Sequence, residues 1–234
     1  MRNKALAGLV LLMVCLGLPA LAAEVPQWLA NAAGAALPEH SPETRAVVLL
    51  DERDTRVSPR GTIASSCRRA IMVLRQGGID EARRLVVVSA YDTKILSMTG
   101  WSVTRGRKTL KATTKDVVET GLAPDTLYAD ISIKILAVPG VETGSVVGFE
   151  WEEERRPPSF EDSFEFQGGF PVARASYLLT LPPGWTMDAS WVHWPPQGCR
   201  PGTEEAPTMA WEMKDIPAID EEPLMPARRT LRAV

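Results

Sequence analysis

Residues 126–155, TLYADISIKILAVPGVETGSVVGFEWEEER, hold the longest clean alternation in the chain. Leu127, Ala129, Ile131, Ile133 and Ile135 fall on one face, and Tyr128, Asp130, Ser132 and Lys134 fall on the other. A period of two over that length dictates a half-buried β-strand. Val138-Pro139-Gly140 then breaks the pattern, after which Val147, Phe149 and Trp151 alternate with Gly148, Glu150 and Glu152. Two long strands separated by a Pro-Gly turn signal predict a hairpin or a bent ribbon. The pair supplies a sheet to build on and points to no chemistry by itself.

The rest of the chain keeps to strand-like patterns. Residues 45–51, 62–76, 85–91, 94–105, 108–118, 173–181, 185–194 and 208–214 each read as a strand, most of them set off by Gly- or Pro-containing turns. Residues 70–74 are apolar on both faces, which predicts a central or doubly covered strand. Residues 26–33 read as one or two helical turns, with Pro26 suited to the first position and Gly34 to the stop, and form a docking arm. Many strands and no long helical periodicity predict an all-β fold, a large antiparallel two-layer β-sandwich. The expected organisation is a signal peptide at 1–23, a helical arm and linker at 24–44, the sandwich at 45–216, and a Pro-rich linker-like tail at 217–234 carrying Pro217, Pro223 and Pro226.

The first 23 residues have the layout of a secretory signal: Arg2 and Lys4, an apolar run from Ala5 to Leu18, then Ala20-Leu21-Ala22 ahead of Ala23. Cleavage after Ala22 or Ala23 would release a periplasmic or secreted protein, and nothing later in the chain is a long enough apolar run to span a membrane. Val14 before Cys15 is not the small residue that a lipid-anchoring signal wants. Cleavage removes two basic residues and no acidic ones, leaving 24 Lys plus Arg against 29 Asp plus Glu, a net charge of −5. Such a mixed, mildly acidic surface argues against a nucleic-acid partner. Cys67 and Cys199 survive processing and are candidates for a disulfide, the alternative being a buried Cys67 in a strand and a free Cys199 in a loop.

Catalytic signals are sparse. The chain has two histidines, His40 and His193, and Cys199 lies six residues beyond His193 in a turn that offers nothing to activate a thiol. No HExxH, CxxC or Gly-rich phosphate loop occurs, so no metal or cofactor is expected. The carboxylates Glu150, Glu152, Glu153 and Glu154 read as a strand leaving the core for solvent, balanced by Arg155 and Arg156. Trp185, Trp191, Trp194 and Trp211 form the most informative cluster. They either pack the core or present a platform for a sugar or a protein, with Trp185 and Trp191 on one face of a strand and Trp194 on the other.

Trp28-Leu29, residues 47–52 (VVLLDE), Tyr91-Asp92, residues 139–152 (PGVETGSVVGFEWE), residues 171–185 (PVARASYLLTLPPGW) and residues 209–226 (MAWEMKDIPAIDEEPLMP) together resemble a family of bacterial secreted proteins. It is the domain of unknown function that lies immediately N-terminal to a transglutaminase-like, papain-type domain. The resemblance implies a non-catalytic β-sandwich acting as scaffold or interaction domain for a transglutaminase-like or peptidase partner, in cis or in trans. In such relatives the stretch matching Glu222-Pro223 and Pro226 leads into the catalytic domain, whereas this chain stops eight residues after Pro226. The Cys, His and Asp of that domain therefore transfer to no residue here. The competing expectation is a module that binds carbohydrate or cell-envelope glycan through exposed tryptophans.

Overall fold

The computed structural model describes residues 24–90, 92–121, 131–193, 200–203 and 206–219, with the backbone alone for 200–203, 206 and 207. The expected signal peptide, Trp194, Cys199 and the tail from residue 220 lie outside the described residues. A short helix, α1 (Gln27–Ala33), precedes β1 (Ala46–Val57), β2 (Ile63–Val73), the one-turn helix α2 (Ile79–Ala82), β3 (Arg84–Ser89), β4 (Thr93–Val103), β5 (Thr109–Thr113), β6 (Val118–Gly121), β7 (Ser132–Ala137), β8 (Val146–Arg155), β9 (Val172–Thr180), β10 (Arg200–Thr203) and β11 (Ala206–Ile216). The strands form two sheets, one in the order β10-β11-β9-β1-β2-β8-β4-β5 and one in the order β3-β7-β6. The all-β, two-layer expectation holds. One pairing departs from it, because β1 and β9 run parallel.

The alternation at residues 126–155 makes two strands, but not a hairpin. β7 pairs with β3 and β6 in the small sheet, whereas β8 lies between β2 and β4 in the large one. The Pro-Gly break is thus a crossover between layers. Gly140 takes it in the left-handed region at φ 67°, and Ser102 Oγ–H anchors it by donating to the Pro139 carbonyl at 2.7 Å. The buried face of β7 is also the reverse of the one its isoleucines predict. Leu136 is fully buried, while Ile133 and Ile135 are half-buried beside Val86 and Val88, which are 55% and 54% exposed. Period two reveals that a strand has two faces, and only the covering layer decides which one is shielded. Residues 108–118 likewise divide between the sheets: β5 ends at Thr113 and a single 3-10 turn at Thr114–Asp116 hands the chain to β6.

The large sheet is covered on both sides, which explains the doubly apolar character of β2. On its outer face α1 packs Leu29 against Val47, Leu49, Ala70 and Val146. A methyl group at Gly148 would sit 2.5 Å from Leu29 Cδ2, so this glycine is the seat of the helix. Trp28 meets Trp101 edge-on at 6.1 Å and donates from Nε1 to Glu150. Burying a leucine side chain in this way contributes about 2 kcal/mol, enough to hold a seven-residue helix that would not form alone. On the inner face, Leu85 and Val87 of β3, Leu136 of β7 and Val138 join Met98, Ala112, Val147 and Phe149. Val138 occupies the space left by Gly100, where a Cβ would lie 2.5 Å from its Cγ2.

Candidate functional site

The inner face of the large sheet changes character along β1. A bulge between Val48 and Leu50 shifts its register against β2. Leu49 and Leu50 both pack on the α1 side, and Asp51, Arg53 and Thr55 turn inward opposite Arg69, Cys67 and Ser65. On the next strand Phe149, Trp151 and Glu153 stand opposite the same three residues of β2. Strand alternation therefore places a charged patch between the layers, where a third row of hydrophobic residues would otherwise sit.

The patch is wired together. Arg53 Nη2 donates to Glu153 Oε1 at 2.8 Å, and its Nη1 lies 3.6 Å from Asp162 Oδ1. Arg155 Nη2 donates to the same Asp162 oxygen at 2.8 Å, and the Tyr177 hydroxyl donates to Asp162 Oδ2 at 2.7 Å. Glu153 is only 7% exposed, so its charge is tolerable only because Arg53 accompanies it. Burial by itself would loosen the proton on Arg53, but Asp162, Cys67 and Glu153 reverse this and tighten it. Burial pushes the Cys67 thiol up to about 12, with Glu153 and Asp51 adding to the effect and Arg53 opposing it. At neutral pH Cys67 is thus a thiol and a poor nucleophile. Burial, then Asp162, also raises the Tyr177 hydroxyl. A cleft of about 560 Å³ opens over this patch, roofed in part by Val86, Val87 and Val88.

Beyond Asp162 the cover is of a different kind. Residues 157–171 and 181–193 have no regular structure, and together with the inner faces of β1, β9 and β11 they enclose a cleft of about 700 Å³. Its walls are rings. Trp211, Tyr177 and Phe164 stack in sequence at 5.6 and 5.5 Å, with interplanar angles of 18° and 10°. Phe166 meets Phe164 edge-on at 4.8 Å and stacks on Trp191 at 5.4 Å. At the mouth Phe160 meets Trp185 edge-on at 5.1 Å. Among the described residues the charged side chains lining this cleft are Glu161, Asp162 and Asp188, and none is basic.

Trp185 and Trp191 both reach the cleft, on irregular backbone and not on the strand expected at 185–194. Trp211 is 7% exposed, a floor residue under Tyr177, and so is not an exposed contact. Cys67 is a free, buried cysteine on β2, and Cys199, like Trp194, lies outside the described residues. His193 is exposed with φ 58°. The reading of Glu153 as a solvated carboxylate is overturned by its burial against Arg53. A signal was available: continuing the Val147, Phe149, Trp151 alternation puts Glu153 and Arg155 on the inward face. The 160–166 segment, which supplies Asp162 and three rings, has no period of its own and so carries no sequence signal of a wall.

A large sheet capped by a smaller sheet and two irregular segments defines the class: a two-layer β-module with an interlayer cleft. The family model of DUF3857, a domain of unknown function with a solved structure, matches residues 59–220, and the chain belongs to that family. Among solved structures, a protein from Parabacteroides distasonis provisionally named a protease shares the fold at a TM-score of 0.71, with 13% identity over 81% of this chain and 39% of that one. An M1 zinc metallopeptidase from Deinococcus radiodurans aligns over 77% of this chain and 41% of that one at 10% identity, with a TM-score of 0.37. The chain thus spans about two fifths of the length of each of these two solved proteins. No curated protein matches the sequence.

Proposed function

We propose that this chain is the non-catalytic β-module of an exported, peptidase-type protein, serving as scaffold or interaction domain for a transglutaminase-like or other peptidase-type domain in cis or in trans. The carrying observation is the fold match in which 81% of this chain accounts for 39% of a longer protein provisionally named a protease. The signal-peptide layout of residues 1–23 supports export to the periplasm or beyond. The protonated state of the buried Cys67 supports a structural role for that residue. The test joins genetics and enzymology. The source genome is read downstream of codon 234 for a domain with a Cys-His-Asp set, and that domain is assayed on peptide substrates with and without this chain. The reading expects no turnover by the chain alone and a partner whose rate or stability rises in its presence. Turnover by the chain alone, or a partner indifferent to it, sinks the reading.

The glycan-binding alternative keeps one supporting observation, since Trp185 and Trp191 line the same cleft. A glycan array with Trp185→Ala and Trp191→Ala variants tests it, and binding that both variants abolish would favour it.

A further inference from the structure

We propose that the aromatic cleft over β9 binds a cationic segment of polypeptide, with lysine or arginine side chains entering the cleft alongside the rings that wall it. Volume, walls and charge point the same way. At about 700 Å³ the cleft falls within the roughly 300–1,000 Å³ typical of ligand sites. Its ring faces carry partial negative charge, which attracts ammonium and guanidinium groups and accommodates their aliphatic stems.

The charge is one-sided. Asp162 is committed to Arg155 and Tyr177, but Glu161 and Asp188 are exposed and form no ion pair among the described residues. Two uncompensated carboxylates at the mouth of a low-dielectric aromatic cleft reinforce each other's field and repel an anion. A neutral sugar could stack on the rings but would leave that charge unneutralised, whereas a cation answers both features. Phe160, 59% exposed, and Val192, 44% exposed, add apolar surface at the same mouth for a side-chain stem to cover. The inference does not depend on whether a catalytic domain accompanies this module.

The probes are tetralysine, its fully Nε-acetylated form, spermine and a chitin tetrasaccharide, titrated into the purified chain while the tryptophan emission from the cleft is followed. Tetralysine should bind with an affinity that falls as salt rises, and acetylation should weaken it at least tenfold. The double variant E161Q/D188N, which alters only exposed side chains and spares the core, should cost a similar factor. Trp185→Ala should also weaken binding, and a circular dichroism spectrum checks that it remains folded. Four outcomes overturn the proposal: no tetralysine binding, equal binding of the acetylated form, indifference to E161Q/D188N, or tighter binding of the tetrasaccharide. Spermine binding as tightly as tetralysine would overturn the polypeptide as ligand.

Discussion

The inner face of the large sheet is covered in two ways, and the contrast organises the molecule. Over β8, β4 and β5 the cover is a regular sheet, and the residues between are mostly aliphatic and closely packed, with Phe149 and Leu136 fully buried. Over β9 and β11 the cover is irregular chain, and the residues between are rings around an open cleft. A sheet satisfies its own backbone hydrogen bonds and can lie flat on another sheet, so side chains interdigitate to native density. Irregular segments keep part of their backbone toward water and stand off the sheet, and large rings bridge the gap without filling it. Between the halves runs the charged patch of Arg53, Glu153, Asp162 and Arg155, where the β1 bulge turned the strand over.

Phenylalanine probes of the two halves should give very different results. Phe149→Ala, in the sealed half, should destabilise by about 3–5 kcal/mol, read as a lower denaturation midpoint at unchanged slope. A loss below about 1 kcal/mol would mean that the sealed half is not close-packed. The patch between should come next. Glu153→Ala removes the shorter of the two ion pairs of the half-buried Arg53, leaving Asp162 as its partner, and should cost about 2 kcal/mol, whereas the neighbouring Glu154→Ala, which breaks only a surface pair with Arg156, should stay within about 0.5 kcal/mol. Equal effects would show that Glu153 is solvated after all.

Cys67 supplies a pH test of the same patch. Its folded-state value is raised from an ordinary 9.0 to about 12, so its contribution is fully present below pH 9 and is lost as pH rises toward 12. By about pH 10.5 the wild type should have lost about 2 kcal/mol relative to Cys67→Ala, compared by denaturation at that pH and at about pH 8. Parallel curves for the two proteins would place the thiol in water. The smallest effect belongs to the open half: Phe160→Ala should change stability by only about 0.5 kcal/mol, because most of that ring already faces solvent.

The sequence alone makes this a strand protein with two layers, because period-two patterning and punctuating turns are local and need no partner to be read. Residues 26–33 and the buried β2 were legible for the same reason. It did not determine the partner of each strand. The Pro-Gly break after Val138 is compatible with a hairpin or a crossover, and in the crossover that forms Val138 packs on Gly100. Nor did it reveal that Glu153, which the alternation puts on the inward face, finds Arg53 there, or that Asp162 meets Arg155 and Tyr177, since these pairings join residues far apart in the chain or lie on aperiodic segments. Alternation is written residue by residue, but which face is covered, and by what, exists only once the second layer has closed.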